Sequence, residues 1–521
     1  MKIKSILVGA MAITTLMTSC FNELDPKDLG PQVQNSSSVY DSPEAYKQGL
    51  AKLYATFALS GQRGPAGDPD IARIDEGFGN YLRQYWNCQE LTTDEAIISW
   101  NDATIKDFHY HTWTPTDVFI AAIYSRIMYT VALCNEYIRV TAGQTDADIK
   151  KYAAEARFLR ALAYYHALDL FGNPPFVTEA DKPGAFFPKQ IKRADLFTYI
   201  ESELNAIENE VGAPRFEYGR ADQAAVWMLQ AKLYLNAQVY VNQAKYTEAI
   251  TALKKVLGAG YTLSANYRHN FVADNHTSPE LIFPITFDSQ ATQSYGGMVY
   301  LIHAPIGGSM DAYGMFGTGG GWGGIRTTSA FVGKFPGSGP TDSRSLFWTD
   351  GRTLDINDVG QYLEGYGITK FRNRTLAGAV VSNYHADFVN IDYPMFRLAD
   401  AHLMLAEAVL RGGTGATPAE ALASVNAVRT RAFGDASGNI SSGQLTLDFI
   451  LDERARELYW EGHRRTDLIR YGKFTGGDYL WPWKGKSKDG AATESFRDLF
   501  PIPAADRSAN PTLEQNDGYP K

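Results

Sequence analysis

The sequence predicts a mainly α-helical protein, in which tetratricopeptide-like helix pairs are interrupted by a loop-rich insertion that contains short strands. Two observations predict this fold class. Apolar residues recur with a helical period of about 3.6 residues in two regions, residues 44–258 and 394–472. That period is lost between residues 261 and 395, and fourteen glycines fall between Gly296 and Gly339. With 45% hydrophobic residues, the chain is able to bury a large core.

The first twenty residues are typical of a bacterial lipoprotein signal. A short basic start is followed by an apolar run over residues 6–17 and by small residues that precede Cys20. This run is shorter than the roughly 20 residues that cross a bilayer. We therefore predict a signal peptide over residues 1–19, a lipid on Cys20 and a membrane-anchored tether over residues 20–40. The alternative is an ordinary secretory signal that is cleaved elsewhere.

The helical region after the tether contains a segment of regular period, residues 153–171. Its apolar residues share one wide face, and the period stops at Gly-Asn-Pro-Pro, residues 172–175, which is typical of a helix end. Similar patterns predict helices at about 117–141, 193–210, 220–241, 245–258, 396–411, 418–433 and 446–461. Small residues recur where these helices would pack closely, and the helix spacing indicates tetratricopeptide-like pairs.

The insertion lacks a helical period, so we expect loops with a few short strands. We predict a single domain over residues 41–521, with a helical scaffold over about 41–260 and 394–475 and the insertion over about 261–393. A loop-rich insertion on a helical scaffold is a common place for a binding site. The alternatives are a structural crossover between the helical regions and a mobile lid.

Composition excludes several classes of protein. The net charge is -9 and no long run of Lys or Arg occurs, which disfavours a nucleic-acid partner. After Cys20 only Cys88 and Cys134 remain, too few for a disulfide-rich scaffold or a zinc site built from cysteines. One disulfide between these two residues is left open. We predict no other long apolar stretch after Cys20.

Motifs of phosphate, metal and hydrolase sites are absent or incomplete. The glycine-rich stretch Gly319–Gly324 lacks the Gly-Lys-Ser/Thr of a phosphate-binding loop. His109 and His111 would share one face of a strand, but no further His or Cys follows at ligand spacing, so we interpret them as ordinary loop histidines. No Gly-x-Ser-x-Gly elbow or His-Glu-x-x-His helix occurs. We predict no metal, no cofactor and no catalytic residue.

An acidic cluster is formed by Asp68, Asp70, Asp75 and Glu76. Two such carboxylates are what a glycosidase needs, and several of them can bind calcium. Nothing in the sequence fixes their separation, and such clusters are frequent in solvated loops. We therefore predict a protein that is not an enzyme, and we keep a surface glycoside hydrolase as an alternative.

Aromatic residues are numerous in the predicted loops. They are Trp86, Trp100, Trp113, Tyr295, Tyr300, Tyr313, Trp322 and Trp348. A sugar ring has an apolar face with hydroxyls at its edge, so a flat aromatic side chain covers the face while neighbouring polar residues bond the hydroxyls. Exposed aromatic residues in loops therefore indicate glycan recognition. The alternative for each of them is burial in the core.

Several segments carry a resemblance to a known family. They are residues 155–165, 170–175, 393–408, 451–470 and 500–519. In this order, over nearly the whole chain, they resemble motifs of the SusD/RagB family of surface glycan-binding lipoproteins, and 451–470 is similar to the family's most diagnostic helix pair. The charged residues of that segment are spaced for ion pairs within and between helices, so we interpret them as scaffold.

The resemblance implies a helical fold and a function. Members of this family lie on the surface of the outer membrane, cap a TonB-dependent transporter of the SusC type and deliver oligosaccharides to it without cleaving them. We therefore expect a lipid-anchored cell-surface protein with a glycan ligand and a SusC-type partner. A structural repeat adaptor that binds protein and no sugar is a further alternative.

The resemblance extends to the ligand site of the starch-binding founder of the family. The matching aromatic residues are Trp100, Tyr295 and Trp322, and we call these three the aromatic arc. By position they would stack on sugar rings, and Arg83 with the adjacent Asn101 and Asp102 would contact hydroxyls. An arc of this kind would be curved to suit a helical glucan.

Other positions depart from the founder and bear on the ligand. Compared with the founder, Ile98 occupies the position that resembles that of a second tryptophan, and Ala103 occupies the position of an asparagine. Trp86 and Asp68 look like aromatic and acidic replacements near the same surface, and Arg372 is a candidate hydroxyl donor. Such changes would suit a fructan, either levan or inulin. We favour an α-glucan, with a fructan as the alternative.

Overall fold

The computed structural model describes residues 39–66, 68–181, 184, 186–335 and 342–520. The predicted signal peptide, the lipidation site at Cys20 and the tether up to residue 38 lie outside the described residues. The chain divides into two units, Met1–Tyr46 and Lys47–Lys521. Of the first unit the structure describes residues 39–46, which include the start of the first helix.

Helices dominate the described residues. They are α1 (Pro43–Ala58), α2 (Tyr81–Trp86), α3 (Ile105–Tyr110), α4 (Val118–Thr141), α5 (Ala147–Leu170), α6 (Arg193–Ile207), α7 (Gln223–Leu235), α8 (Ala237–Val241), α9 (Tyr246–Leu257), α10 (Gly297–His303), α11 (Ala312–Phe316), α12 (Ser329–Val332), α13 (Leu398–Leu410), α14 (Pro418–Phe433), α15 (Leu447–Leu458), α16 (Arg464–Arg470) and α17 (Ala504–Ala509). The strands are β1 (Ile97–Ile98), β2 (Leu281–Ile285), β3 (Ile325–Arg326), β4 (Phe347–Trp348), β5 (Gly367–Ile368) and β6 (Tyr393–Arg397). The predicted fold class, mainly α with short strands, is confirmed.

Several long helices begin at side chains that accept hydrogen bonds from the first turn. Asp117 accepts from two amides of α4, at 2.9 and 3.0 Å, and Asp146 accepts from two amides of α5. Thr417 and Glu420 form a capping box at α14. These caps satisfy amide groups that a helix leaves without an intrahelical partner.

The helices pack as neighbouring pairs. α4 lies against α5, α5 against α6, α7 against α9, and α13 against both α14 and α15. α9 also packs on α13, which joins the two helical regions that the insertion separates in the sequence. Around α13 to α15 the core includes Leu403, Val425, Val428 and Ile450, all fully buried. This arrangement agrees with the predicted helix pairs.

Two predictions about helices are wrong. The helix predicted over 220–241 is broken at Asn236, whose backbone ends α7 and starts α8. The prediction of no long apolar stretch after Cys20 fails at α4, which among the described residues is the one helix long and apolar enough to cross a membrane. Most of its apolar window is buried inside the protein and it packs on α5, so α4 is a core helix.

The described strands form three two-stranded antiparallel sheets. β2 pairs with β6, so the start of the insertion is tied to the strand that leads into α13. β1 pairs with β3, with Ile97 opposite Arg326 and Ile98 opposite Ile325. β4 pairs with β5. The glycine-rich part of the insertion also contains α10 to α12, each of four to seven residues, where the sequence predicts loops and strands alone.

The charged residues of segment 451–470 form ion pairs in the interior, as predicted. Arg397, 1% exposed, pairs with Glu280 at 2.7 Å, with Glu457 at 2.7 Å and with Glu461 at 2.6 Å. In the same way Arg454 bridges two carboxylates from neighbouring helices. Buried charges are tolerated where they are paired and hydrogen-bonded. These residues therefore hold helices and strands together.

Candidate functional site

Trp100 and Trp322 are brought together by the sheet β1–β3. Trp100 follows β1 closely and Trp322 precedes β3, while the amide of Ser99 donates to the carbonyl of Gly324 at 2.9 Å. The two indole rings lie 6.2 Å apart between centroids, inclined by 44°. The indole N–H of Trp100 donates to the backbone carbonyl of Trp322 at 3.3 Å. Both side chains are half-buried, so part of each ring surface faces solvent.

One face of Trp322 is covered by His303, at the end of α10. The two rings are stacked, with centroids 5.1 Å apart and planes within 21°. Nδ1 of His303 lies 2.8 Å from the carbonyl oxygen of Gly320, which requires Nδ1 to carry the proton. Burial lowers the pKa of His303 below its usual value, so the imidazole is neutral. One face of the Trp322 ring therefore packs flat on the uncharged imidazole ring of His303.

Tyr295 continues the row of rings beyond Trp322. Its ring lies 6.4 Å from that of Trp322, inclined by 64°, and 5.8 Å from the buried ring of Phe388 on its other side. Gly296 lets the chain approach α2 closely, because a Cβ at this position would overlap Asn80. Like the two tryptophans, Tyr295 is half-buried. The three predicted residues therefore lie side by side, with successive rings inclined to one another.

Arg83 lies beneath the arc on α2. Its guanidinium carbon is 4.3 Å from the ring centroid of Tyr300 and 6.0 Å from that of Trp100. Nη1 donates to the carbonyl oxygens of Gly77, at 2.9 Å, and Tyr295, at 3.3 Å. No carboxylate pairs with Arg83 in the part of the chain that the structure describes. Nη1 thus holds the backbone around the arc, while Nε is buried without a hydrogen-bond partner among the described residues.

Asn101 and Asp102 directly follow Trp100 and are exposed. The Asn101 side-chain oxygen accepts from the ammonium of Lys106 at 2.6 Å, which leaves its amide N–H₂ unengaged among the described residues. The carboxylate of Asp102 lies near enough to Arg83 to raise the pKa of that guanidinium, against the lowering by burial. These two side chains are the polar groups at the edge of the Trp100 ring.

Trp86 is not a surface residue, contrary to the prediction. Its side chain is fully buried, and its indole N–H donates to the carbonyl of Trp460 at 3.0 Å. Edge-on contacts with Tyr300 and Trp460 enclose the ring. A ring without an exposed face cannot stack on a sugar, so Trp86 is a core residue.

Asp68 and Arg372 also lie apart from the arc. Asp68 is exposed and pairs with Arg63 at 3.2 Å. Arg372 is half-buried, with its guanidinium over the ring of Phe316 and its Nε donating to the carbonyl of Thr369 at 3.3 Å. Within the described ranges neither side chain contacts an arc residue.

The acidic cluster is mostly engaged in structure. Asp70 pairs with Lys52 and Arg126, and Asp75 accepts from the amide of Gly77 at 2.8 Å. Glu76 is buried, and both its oxygens lack a hydrogen-bond partner in the described structure. None of these carboxylates contacts an arc ring among the described residues, so the cluster on which the hydrolase alternative depends lies apart from the arc.

The histidines and cysteines serve packing. His109 lies in α3, not in a loop, and His111 directly follows that helix; both are buried and bonded to backbone carbonyls. Burial lowers the pKa of His109 to about 4. Cys88 and Cys134 are buried free thiols, which answers the question of a disulfide. Among the described residues no group of three or more His, Cys, Asp or Glu is placed to hold a metal ion.

The three arc rings are half-buried and therefore partly exposed at the surface. A cavity of about 310 Å³ does exist, but it lies between α1 and residues 217–220 and is lined by none of the arc residues. The supporting residues that sequence reasoning missed are His303 and Phe388, both buried against arc rings. His303 is three residues after Tyr300 and so shares a helix face with it, which is a signal visible only once α10 is recognised as a helix.

The fold and the arc together define a helical-repeat protein that carries a surface platform of aromatic side chains. Residues 345–519 match the model of the SusD family. The chain is 35% identical to the starch-binding protein SusD of Bacteroides thetaiotaomicron, over an alignment of 569 residues that covers 99% of both chains. The protein therefore belongs to the SusD family, as its sequence motifs predict.

Solved structures share this fold. A SusD superfamily protein from Bacteroides vulgatus superposes with a TM-score of 0.71 at 18% identity, covering 92% of this chain and 99% of the other. Surface glycan-binding protein A from Bacteroides thetaiotaomicron, in complex with laminarihexaose, gives 0.69 at 20% identity over 91% and 99%. A laminarin binding SusD-like protein gives 0.70 at 22% identity over 92% and 100%. At these identities the matches establish the fold.

Proposed function

We propose that this protein binds oligosaccharides on the aromatic arc and does not cleave them. The observation that carries the proposal is the row of half-exposed rings formed by Trp100, Trp322 and Tyr295, in contact with one another. Aromatic faces cover the apolar faces of sugars, and the adjacent Asn101 and Asp102 can bond hydroxyls. The absence of a carboxylate pair at the arc, within the described residues, favours binding over hydrolysis.

The inclination of the rings supports a curved ligand. Successive rings are inclined by 44° and 64°, so a straight chain of sugars would meet one face at a time, whereas a helical chain turns with them. The relative of 35% identity is named for starch binding, which also favours an α-glucan. The fructan alternative drew on changes at Ile98 and Ala103 and on Trp86, Asp68 and Arg372. The last three lie off the arc, so the α-glucan is our first choice.

The family supplies the proposed setting. We expect the protein to be anchored by a lipid on Cys20 at the outer surface of the outer membrane and to pass its ligand to a SusC-type TonB-dependent transporter. Burial of each aromatic face is worth about 1.5–3 kcal/mol, and association entropy offsets much of the sum. The resulting modest affinity would suit release into a transporter.

The test is calorimetric titration of the purified protein with maltoheptaose, laminarihexaose and levan oligosaccharides, followed by analysis of the products. We expect maltoheptaose to bind without cleavage. Trp322→Ala should reduce this binding at least about tenfold, because a stacked ring is lost from the middle of the arc. Phe187→Ala is the matched control, since Phe187 is a comparably large exposed ring, 56% accessible, on a different segment.

Each alternative has its own outcome. Binding of levan alone would keep the binding function and change the ligand. Release of shorter sugars during the incubation would favour the hydrolase. No binding of any glycan, by a protein that unfolds cooperatively on heating, would refute the proposal and favour the protein-binding adaptor.

A further inference from the structure

A second exposed aromatic pair lies in the insertion, formed by Tyr313 on α11 and Tyr384. Tyr313 is 54% exposed, which is unusual for a large ring in this protein. Its ring meets that of Tyr384 edge-on, with centroids 5.7 Å apart and planes at 88°. Tyr384 is half-buried. The two rings are fixed against each other while much of the Tyr313 surface faces solvent.

The backbone under Tyr313 is held firmly. Asp311 caps α11 by accepting from the amide of Gly314 at 2.8 Å. α11 ends at Gly317 with φ of 69°, where a Cβ would overlap the carbonyl of Asn373. The guanidinium of Arg374 lies 5.2 Å from the Tyr313 ring centroid and donates to the carbonyl oxygen of the same residue. An exposed ring on a well-fixed backbone loses little conformational entropy when a ligand covers it.

A row of ring contacts leads from the aromatic arc, through the buried Phe388, to the residue next to Tyr384. From Tyr295 the next ring is Phe388, at 5.8 Å, and the ring after that is His385, at 4.7 Å from Phe388. His385 directly follows Tyr384 in the chain. The amide of Gly319 also donates to the carbonyl of Ala386 at 2.7 Å, which fixes the loop before Trp322 against the same segment. These ring-to-ring steps are as short as those within the arc.

His385 presents a hydroxyl donor between the arc and the pair. Its Nδ1 lies 3.0 Å from the amide of Asp387 and 3.3 Å from the amide of Phe388, and both amides are donors. Nδ1 is therefore the acceptor, so Nε2 carries the proton in the neutral ring. His385 is half-buried, and among the described residues the hydrogen bonds of its ring are the two that Nδ1 accepts. This is the donor that a sugar hydroxyl would meet on leaving Tyr295.

We propose that Tyr313, Tyr384 and His385 form a glycan subsite that extends the aromatic arc, so that the protein binds a longer stretch of neutral oligosaccharide than the three arc residues cover. The inference rests on the proposed function of the arc. The chemistry favours an uncharged ligand, because Nη1 and Nη2 of Arg374 are bonded to backbone carbonyls, its Nε is buried, and the nearby Asp311 and Asp387 are exposed carboxylates. An anionic ligand would be repelled by these carboxylates.

The test compares long and short ligands on the purified protein. Affinities for maltoheptaose and maltotriose are measured by calorimetry for the wild type, Tyr313→Ala, Tyr313→Phe and the control Phe187→Ala. We expect Tyr313→Ala to weaken maltoheptaose binding about tenfold and to leave maltotriose binding, centred on the arc, unchanged. Tyr313→Phe keeps the ring and should bind both ligands as the wild type does. Equal thermal unfolding of the four proteins shows that each is folded.

The two proposals fail in different ways. If Tyr313→Ala binds maltoheptaose as tightly as the wild type does, the subsite is refuted and the arc stands. If the wild type binds neither maltoheptaose nor maltotriose, the same series is repeated with laminarihexaose and laminaritriose. If the wild type binds none of these four ligands, the proposed function is refuted and the subsite with it. An equal loss for long and short ligands in Tyr313→Ala also refutes an extension of the arc.

Discussion

The position of the Trp100 ring is set by a residue without a side chain, Gly324. The chain passes so close to the indole that a Cβ at position 324 would overlap atoms of the ring. The carbonyl oxygen of Gly324 also accepts a hydrogen bond from the amide of Ser99, at 2.9 Å. The backbone here cannot shift away from the ring without loss of that bond. A glycine is therefore required for the inclination between Trp100 and Trp322.

We predict that Gly324→Ala weakens oligosaccharide binding at least about tenfold, because the displaced Trp100 ring no longer continues the arc. The matched control is Gly320→Ala, since a Cβ at position 320 meets nothing within 4 Å. Calorimetric titration of both variants with maltoheptaose measures the difference. Wild-type affinity in Gly324→Ala would show that the ring inclination is unimportant.

The limits of sequence reasoning are clear from two tryptophans. Trp100 and Trp86 both stand in the predicted loops, yet Trp100 is half-exposed and Trp86 is fully buried. The difference arises because Trp86 ends α2, whose buried face packs on α4 and α10. A helix of six residues is too short to show a period in the sequence. The arc residues were assigned through family resemblance, which carries positional information that periodicity lacks.

Among the elements, the turn between α15 and α16 is bound to the π-helical turn that follows α2. Glu90, within Asn87–Leu91, accepts from the amide of Gly462 at 2.6 Å and that of His463 at 3.1 Å. Glu95 accepts from the amide of Trp460 at 3.2 Å. Burial raises the pKa of Glu90 to about 7, and burial together with the charge of Glu90 raises that of Glu95. Oε2 of Glu90 is buried without a hydrogen-bond partner among the described residues, so a charge on this carboxyl would be poorly compensated.

This pair predicts a pH dependence of stability. Since the folded pKa of Glu90 lies above its ordinary 4.5, the folded state keeps a proton that the unfolded chain releases. The contribution of Glu90 to the free energy of unfolding therefore falls as the pH rises from about 4.5 to about 7. Glu90→Gln mimics the protonated carboxyl and cannot ionise. We expect it to match the wild type at about pH 5 and to be more stable at about pH 8, by thermal unfolding. The same difference at both pH values would contradict a raised pKa of Glu90 in the folded protein.

At the level of elements, the sequence predicts the long helices well and the short ones poorly. The observed α14 begins and ends where it is predicted, and α4 and α9 start one residue later than predicted. In each, apolar positions repeat over three turns or more. α10, α11 and α12 have four to seven residues and contain or adjoin glycine, so their helical form depends on tertiary contacts. These short helices position the arc, which is why its geometry lies beyond the reach of pattern analysis.

Across the whole molecule, buried ion pairs connect regions that are distant in sequence. Arg397 joins β6 to Glu280, beside β2, and to Glu457 and Glu461, in and after α15. Paired charges of this kind favour one particular arrangement of the elements, because removal of one partner leaves the others buried and uncompensated. The insertion is thereby fixed to the helical scaffold on which the arc depends.

We predict that Arg397→Ala lowers the free energy of unfolding by about 3–5 kcal/mol, since three buried carboxylates each lose one of their cationic partners. Lys254→Ala is the control: its pair with Glu420 has the same kind of charges at 3.0 Å, but both side chains are about half exposed. Such a pair contributes about 0–1 kcal/mol. Chemical denaturation measures both variants. A loss as small as that of the control would mean that the interior relaxes around the missing arginine.

The exposure of the three arc rings has a consequence for ligands of high molecular weight. Because all three rings are partly exposed at the surface, we expect that a polymer needs no free end to reach them. Every internal stretch of a long polymer is then an equivalent binding position. The number of such positions, or registers, grows with the degree of polymerisation. Association per polymer molecule should rise in proportion, by statistics alone, and a bound chain can exchange one register for the next without leaving the protein.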